Sequence, residues 1–185
     1  MNRLIDGSGA EAGDVILGLA STGVHSNGFG LVRAVIKRAR LNLDKAYDQL
    51  QQPQTLGEVL LTPTRIYAAS IVALLRTYRV KQPIRAMSHI TGGGLPGNLA
   101  RSLGSHLNAR IERSKWTVPA VFNFLQRQGS IEDEEMMRVF NMGIGYVCIV
   151  RPHFAESILS QLQRTGEQVT VLGKLVRGTG RVVFA

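Results

Sequence analysis

The sequence predicts one α+β domain in which helices flank a mixed sheet. Its length of 185 residues fits a single domain, because either half alone would approach the size at which a core becomes marginal. Strand-like and helix-like patterns alternate along the chain. A glycine-rich turn at 177–180, RGTG, predicts that the last two strands pair as a hairpin, which makes the sheet mixed.

Strands are predicted from short apolar segments that turn residues bound. They cover 15–20, 84–90, 107–111, 146–150, 169–176 and 181–184. Helices are predicted where apolar residues recur at helical spacing. They lie around 31–36, at 64–78, in a short stretch that ends at 103, and at 119–128, 132–139 and 152–165. The acidic run 132–135 fits a helix amino terminus, whose dipole favours negative charge.

Composition excludes several classes of protein. Hydrophobic residues make up 44% and charged residues 19% of the chain, unlike a disordered protein. No apolar run approaches the roughly 18 residues of a membrane span, and the first residues lack a signal-peptide pattern. We therefore expect no membrane partner and a cytoplasmic location, which the single cysteine, Cys148, also fits. The net charge of +9 favours anionic partners.

The loop at 21–28, STGVHSNG, joins a buried strand to a helix. Backbone N–H groups at such a helix start, with the positive end of the dipole, favour a phosphate ligand. The alternative is an ordinary cap, in which Ser26 or Asn27 bonds to the first-turn amides. His25 could carry a proton or hold a bound anion by a hydrogen bond, and the second role is favoured because no carboxylate is available to orient the ring.

A second loop begins at Thr91 and contains the pattern GGGLPG at 92–97. This matches the dinucleotide fingerprint G-x-G-x-x-G, and Glu112 follows twenty residues after Gly92. The unit lies in the middle of the chain and Pro96 falls inside the expected helix, so we interpret the glycines as a close backbone approach or a phosphate nest instead of an NAD site.

Other chemical signatures are weak. No P-loop motif is present, and the four histidines show no metal-ligand spacing, so we expect no metal site. One helix carries a basic face of Arg33, Lys37, Arg38 and Arg40. Aromatic residues make up only 6% of the chain and do not alternate with these charges, which disfavours nucleic acid as a partner.

Several segments occur together in an order that is far more specific than any single motif. They are 5–8 (IDGS), 23–28 (GVHSNG), 31–33 (LVR), 61–67 (LTPTRIY), 89–94 (HITGGG) and 140–145 (FNMGIG), with Trp116, Pro119, Phe122, Glu135 and Arg138 among the residues between the last two. Over essentially its whole length the chain resembles the carboxy-terminal domain of the phosphoribosylformylglycinamidine cyclo-ligase family, also called AIR synthetase.

The resemblance implies a function in de novo purine biosynthesis, in which an ATP-dependent enzyme closes the imidazole ring of a phosphorylated substrate. It implies His25 as the catalytic candidate. The implied substrate-binding residues are Thr22, Gly23, Ser26, Asn27, Gly28, Arg65, Thr91, Gly92, Gly93, Gly94, Asn98 and Asn141. Among these, Arg65 and Asn141 are expected to support the cleft.

Members of this family begin with another domain, which carries most contacts to ATP and Mg²⁺ and forms the core of a homodimer. The resemblance therefore implies that this chain is the substrate-side half, inactive alone, binding no cofactor by itself and exposing the apolar surface that the missing amino-terminal domain would cover. Two alternatives remain open at this point. One is a non-catalytic module that binds phosphorylated nucleotides or nucleic acid, and the other is a different member of the same ATP-using superfamily.

Overall fold

The computed structural model describes residues 4–78 and 80–185. Its strands are β1 (Val15–Ala20), β2 (Ile84–His89), β3 (Leu107–Ile111), β4 (Ile144–Val150), β5 (Val169–Arg177) and β6 (Val182–Phe184). Its helices are α1 (Phe29–Ala39), α2 (Leu56–Leu60), α3 (Ala68–Thr77), α4 (Gly94–Ala100), α5 (Ala120–Gly129), α6 (Asp133–Val139) and α7 (Ala155–Arg164). The predicted α+β class and the mixed sheet are confirmed.

All six strands form one sheet in the order β2-β4-β1-β5-β3-β6. Strand β4 pairs antiparallel with both β1 and β2, so β1 and β2 run in the same direction on either side of it. Their carboxyl ends therefore lie at the same sheet edge, beside the start of β4. We call it the β1–β2 edge, and the two glycine-bearing loops, 21–28 after β1 and 91–97 after β2, begin there.

The predicted hairpin between the last two strands is wrong. Strand β3 lies between β5 and β6, pairing antiparallel with the first and parallel with the second. The turn wraps around the beginning of β3, because the Asn108 Oδ1 accepts hydrogen bonds from the backbone N–H groups of Thr179 (2.8 Å) and Arg181 (2.9 Å). Two further backbone bonds, from the Gly178 N–H to the His106 carbonyl and from the Gly180 N–H to the Leu107 carbonyl, fix the turn at the start of the same strand.

The sheet is apolar on both faces because helices cover both. Side chains of β4 show this directly: Cys148 and Val150 pack with α3 and α7, whereas Val147 and Ile149 pack with α4 on the other face. This explains why β4 is a continuous apolar run instead of an alternating one. A third cluster joins α1, α2, α5 and α6 outside the sheet. This cluster packs beside the β1–β2 edge.

Two helices differ from the sequence prediction near the site. The helix predicted over 64–78 begins only at Ala68, and residues 61–67 form a segment without helix or strand along the first loop. Helix α2 was not predicted, although Thr55 and Glu58 form a complete capping box at its start. Within the described ranges no helix is long and apolar enough to cross a membrane.

Candidate functional site

The two glycine-bearing loops meet at the β1–β2 edge. A Cβ built on Gly92 would lie 3.9 Å from the Asn27 Oδ1, so the loops are direct neighbours. Both rest on the end of α6: a Cβ on Gly28 would collide with the Phe140 ring, and one on Gly94 would collide with the Met137 carbonyl. Glycine at positions 28 and 94 therefore permits the close approach, and both have positive φ, +78° and +59°.

The first loop exposes two hydroxyl groups and leads into helix α1 through a glycine, which has no side chain to cap the helix. Thr22 and Ser26 are exposed, whereas Gly23 and His25 are buried. The N-cap residue is Gly28, and within residues 4–78 and 80–185 no side chain bonds to the first-turn amides. The interpretation of Ser26 or Asn27 as an ordinary cap is therefore wrong, because the chain enters the helix through a left-handed glycine that directs both side chains elsewhere.

His25 holds the first loop together from inside. Its Nε2 accepts hydrogen bonds from the Thr22 N–H (3.1 Å) and, more weakly, the Arg65 N–H (3.5 Å). The proton of the neutral ring is therefore on Nδ1, which has no partner within the described part of the chain. Only 3% of the residue is exposed, and this burial, with a smaller effect of His89, lowers the pKa of His25 to about 4. The ring is uncharged at neutral pH.

The segment 61–67, between α2 and α3, forms a wall beside the first loop. The Thr22 hydroxyl donates to the Pro63 carbonyl (2.7 Å), and the hydroxyls of Ser26 and Thr64 lie 3.0 Å apart. Two apolar side chains of the same segment face solvent, Leu61 at 75% and Ile66 at 81% exposure. The wall is thus polar toward the loop and apolar outward.

Arg65 is held by a buried carboxylate that sequence reasoning missed. Its Nε donates to the Glu167 Oε2 (2.7 Å) and its Nη2 to the Gly166 carbonyl (2.6 Å), while the Ser70 hydroxyl donates to the Glu167 Oε1 (2.6 Å). Glu167 lies 102 positions after Arg65 in the turn before β5. No local sequence pattern relates two residues at that separation.

Asn98 shapes the second loop. Its Nδ2 donates to the carbonyls of Gly94 (2.8 Å), Gly92 (3.1 Å) and Thr91 (3.2 Å), and its Oδ1 accepts from the Thr91 hydroxyl (3.1 Å). Asn98 is buried, whereas Gly92 is exposed. Gly93, the N-cap of α4 with φ +99°, lines a groove of about 610 Å³ together with Pro96 and Arg138.

Asn141 supports the first loop from the segment before β4. Its Nδ2 donates to the carbonyls of Gly23 (2.9 Å) and Val24 (3.3 Å). Its Oδ1 accepts from the Ser21 hydroxyl (2.9 Å) and the Gly143 N–H (2.8 Å). The amide is buried at 3% exposure, so it fixes the loop and does not face solvent.

An aromatic cluster lies against the same edge. The ring centroids of Tyr67 and Tyr146 are 5.4 Å apart, and each lies 6.1 Å from the ring of His89. Burial raises the pKa of Tyr146 to about 12 and that of Tyr67 even further. The Tyr67 hydroxyl donates to the Ala20 carbonyl (2.8 Å) at the end of β1. Gly145 leaves the space for that hydroxyl, because a Cβ there would collide with it.

The structure therefore separates the predicted residues into three groups by exposure. The exposed ones are Thr22, Ser26 and Gly92, and the half-buried ones are Asn27, Gly28, Arg65, Thr91 and Gly93. The buried ones, which lie beneath the loops, are Gly23, His25, Gly94, Asn98 and Asn141. Over residues 4–78 and 80–185, no group of three or more His, Cys, Asp or Glu side chains could hold a metal ion.

Comparisons with known proteins agree with this architecture. The model of a family described as AIR synthase related protein, C-terminal domain, matches residues 11–185. Phosphoribosylformylglycinamidine cyclo-ligase of Geobacillus kaustophilus (strain HTA426) is 46% identical over 184 residues, covering 99% of this chain and 51% of the relative. The enzyme of that name from Desulfitobacterium hafniense (strain DSM 10664 / DCB-2) is 48% identical over 172 residues, covering 93% and 48%. This chain spans about half the length of the curated relatives it matches.

Solved structures share the fold at low sequence identity. E. coli HypE, a hydrogenase maturation protein, aligns with a TM-score of 0.60 and 20% identity over 100% of this chain and 50% of that protein. Thiamine-monophosphate kinase from Stenotrophomonas maltophilia K279a aligns with a TM-score of 0.53 and 15% identity over 95% and 51%. The family match over 11–185 and the cyclo-ligase relatives confirm the resemblance. This chain belongs to the AIR synthase related family and carries its C-terminal domain.

Proposed function

We propose that this chain supplies the substrate side of a phosphoribosylformylglycinamidine cyclo-ligase, which converts formylglycinamidine ribonucleotide to aminoimidazole ribonucleotide in purine biosynthesis. Relatives of that name match nearly the whole chain. The observation that carries the proposal is the meeting of the two glycine-bearing loops at one sheet edge, with Gly92 against Asn27. Such loops at helix starts suit a phosphorylated ligand.

The proposed reaction depends on positioning. Phosphate passes from ATP to the amide oxygen derived from the formyl group, the amidine nitrogen attacks the activated carbon, and phosphate leaves as the ring closes. Orientation of reactants and neutralisation of phosphoryl charge supply most of the acceleration in such chemistry. In this proposal Ser26 and the exposed loop amides contact the substrate. His25 acts as a positioning residue, since its Nε2 already accepts two backbone N–H groups.

ATP and Mg²⁺ are proposed to bind mainly to a preceding domain. Among the described residues, no three His, Cys, Asp or Glu side chains lie together as metal ligands. A solved structure of HypE in complex with ATP aligns with a TM-score of 0.54 at 21% identity, over 96% of this chain and 49% of that protein. The exposed Leu61 and Ile66, beside the first loop, support coverage of this face by that domain. The complete enzyme is proposed to be a cytoplasmic homodimer.

A chimera tests the proposed function. The matching half of the Geobacillus kaustophilus relative, 46% identical, is replaced by this chain, and ATP-dependent formation of aminoimidazole ribonucleotide is measured. We expect turnover by the chimera and none by this chain alone. A folded chimera without turnover would refute the proposed substrate, and turnover by the isolated chain would refute its role as half of an enzyme.

A hydroxyl deletion tests which face binds the substrate. The Ser26 and Thr64 hydroxyls share one hydrogen bond, so the pair keeps one proton for a ligand oxygen. We expect Ser26→Ala in the chimera to raise the KM for the phosphorylated substrate about tenfold, the size of one lost bond to a charged group. Ser105→Ala is the matched control, an exposed serine before β3 at the opposite sheet edge. Equal KM values for the two variants would contradict the assignment.

A further inference from the structure

We infer that Glu167 is a positioning residue of the candidate site, which fixes the Arg65 guanidinium so that one edge of it faces an anionic oxygen of the substrate. The inference rests on the proposed function. Glu167 lies in the turn between α7 and β5, and its carboxylate is 2% exposed. It joins two elements, since one oxygen accepts from Arg65 and the other from Ser70 at the start of α3.

The turn that carries Glu167 belongs to the β1–β2 edge. Strand β5 pairs antiparallel with β1, and the Ala20 N–H at the end of β1 donates to the Gln168 carbonyl (2.9 Å). Glu167 is therefore next to the point where the first loop leaves the sheet. A buried carboxylate here, bonded to an arginine of the wall segment 61–67, connects the sheet to that wall.

The Arg65 guanidinium is hydrogen-bonded through two of its three nitrogens, and the third is open. Nε and Nη2 of Arg65 donate to Glu167 and to the Gly166 carbonyl, at 2.7 Å and 2.6 Å. Nη1 has no hydrogen-bond partner in the ranges 4–78 and 80–185, and the side chain remains 31% exposed. A planar guanidinium held in this way presents its remaining N–H groups in a fixed direction, as bidentate recognition of phosphate or carboxylate oxygens requires.

The same residue connects to the first loop through its backbone. The Arg65 N–H donates to the His25 Nε2, which also accepts from the Thr22 N–H. Rotation of the Arg65 side chain is thus restricted by Glu167, while its main chain is part of the structure that shapes the loop. Loss of the carboxylate charge is expected to release the guanidinium first, because the backbone contacts do not depend on Glu167.

The test uses Glu167→Gln in the chimera, since glutamine keeps the volume and can accept from Arg65 while removing the charge. We expect the KM for the phosphorylated substrate to rise about tenfold, with kcat within about threefold of the wild type, because weaker orientation of Arg65 affects binding of substrate and transition state alike. Glu11→Gln is the matched control, an exposed carboxylate paired with Arg85 at 3.1 Å at the opposite sheet edge.

A double-mutant cycle separates positioning from a merely structural role. Arg65→Lys keeps the positive charge but loses the two-sided hydrogen bonding, so its KM should rise similarly, and the double variant should add less than about twofold. Additive effects, or a fall in kcat with unchanged KM, would overturn the inference. If Glu167→Gln does not fold, Arg65→Lys alone decides, since an unchanged KM would refute the assigned contact.

The outcomes distinguish this inference from the proposed function. An inactive wild-type chimera that is folded would refute the proposed function itself. An active chimera whose Glu167→Gln variant has wild-type KM and kcat would leave the proposed function intact and refute only the role of Glu167.

Discussion

Asn141→Asp is the sharpest test of how the first loop is held. The substitution changes one atom group, replacing the Nδ2 amide with an oxygen. Nδ2 donates to the Gly23 and Val24 carbonyls at 2.9 Å and 3.3 Å, so the new oxygen would face two carbonyl oxygens in a buried position. The Oδ1 contacts to Ser21 and Gly143 can remain. Only a protonated carboxyl group could donate to either carbonyl.

The resulting instability should depend on pH in a definite direction. Burial and the two carbonyls disfavour the charged form, so the pKa of the new carboxyl is raised in the folded state above its unfolded value of about 3.9. Stability is therefore present at low pH and is lost as pH rises, by up to about 1.4 kcal/mol per pH unit. If the folded pKa reaches 7, the loss at pH 7 is about 4 kcal/mol, against a typical total of about 5–15 kcal/mol.

Urea unfolding of the wild type and Asn141→Asp from about pH 4.5 to 7.5 measures this loss. Asn108→Asp is a matched control of opposite sign, because the Asn108 Oδ1 already accepts from two backbone N–H groups and its oxygen is retained. Asn108→Asp should be neutral or stabilising throughout this range. A pH-independent loss in Asn141→Asp, or equal behaviour of the two variants, would refute the assigned orientation of the Asn141 amide.

Two further predictions follow from the same edge. Burial lowers the pKa of His25 from 6.5 to about 4, so the unfolded chain binds the proton more tightly than the folded chain does. The free energy of unfolding should therefore have its full value above about pH 6.5 and fall by up to about 3 kcal/mol as pH decreases toward 4. The urea midpoint of His25→Gln should lack this component, and an identical pH dependence would contradict the buried neutral ring. Gly94→Ala should destabilise the fold by at least about 2 kcal/mol, because a Cβ there would meet the Met137 carbonyl and the φ of +59° disfavours a side chain. Gly97, in the same helix, has open space around it, so Gly97→Ala should stabilise the fold by about 0.5–1 kcal/mol. Thermal unfolding compares the two, and equal midpoints would show that the second loop is not packed as described.

Local patterns predicted most elements because each element's signal lies within its own residues. Strand β3 was predicted with its observed bounds, since Leu107, Ala109 and Ile111 alternate with polar residues and one face is buried. The acidic first turn of α6 also followed from sequence, with Asp133, Glu134 and Glu135 at the positive end of the dipole. The two glycine-bearing loops were located for the same reason, as each directly follows a strand.

Contacts between distant segments could not be predicted in this way. A turn such as RGTG has the same composition whether it reverses into a hairpin or wraps around a third strand, and the difference depends on Asn108, which lies 71 residues before Thr179. Glu167 was missed for a similar reason, because a glutamate after a helix looks like an ordinary exposed residue until Arg65 and Ser70 surround it. Pairing and burial of polar groups are tertiary properties.

The buried amide of Asn98 determines what the second loop can offer a ligand. In a trans peptide the C=O and the following N–H point in opposite directions. Asn98 draws the carbonyls of Thr91 and Gly92 toward the interior, so the N–H groups of Gly92 and Gly93 are directed away from it. Two consecutive N–H groups turned outward form the concave donor arrangement that binds anions. The phosphate binding that we propose for these loops would therefore depend, in the second loop, less on exposed side chains than on the buried carboxamide of Asn98.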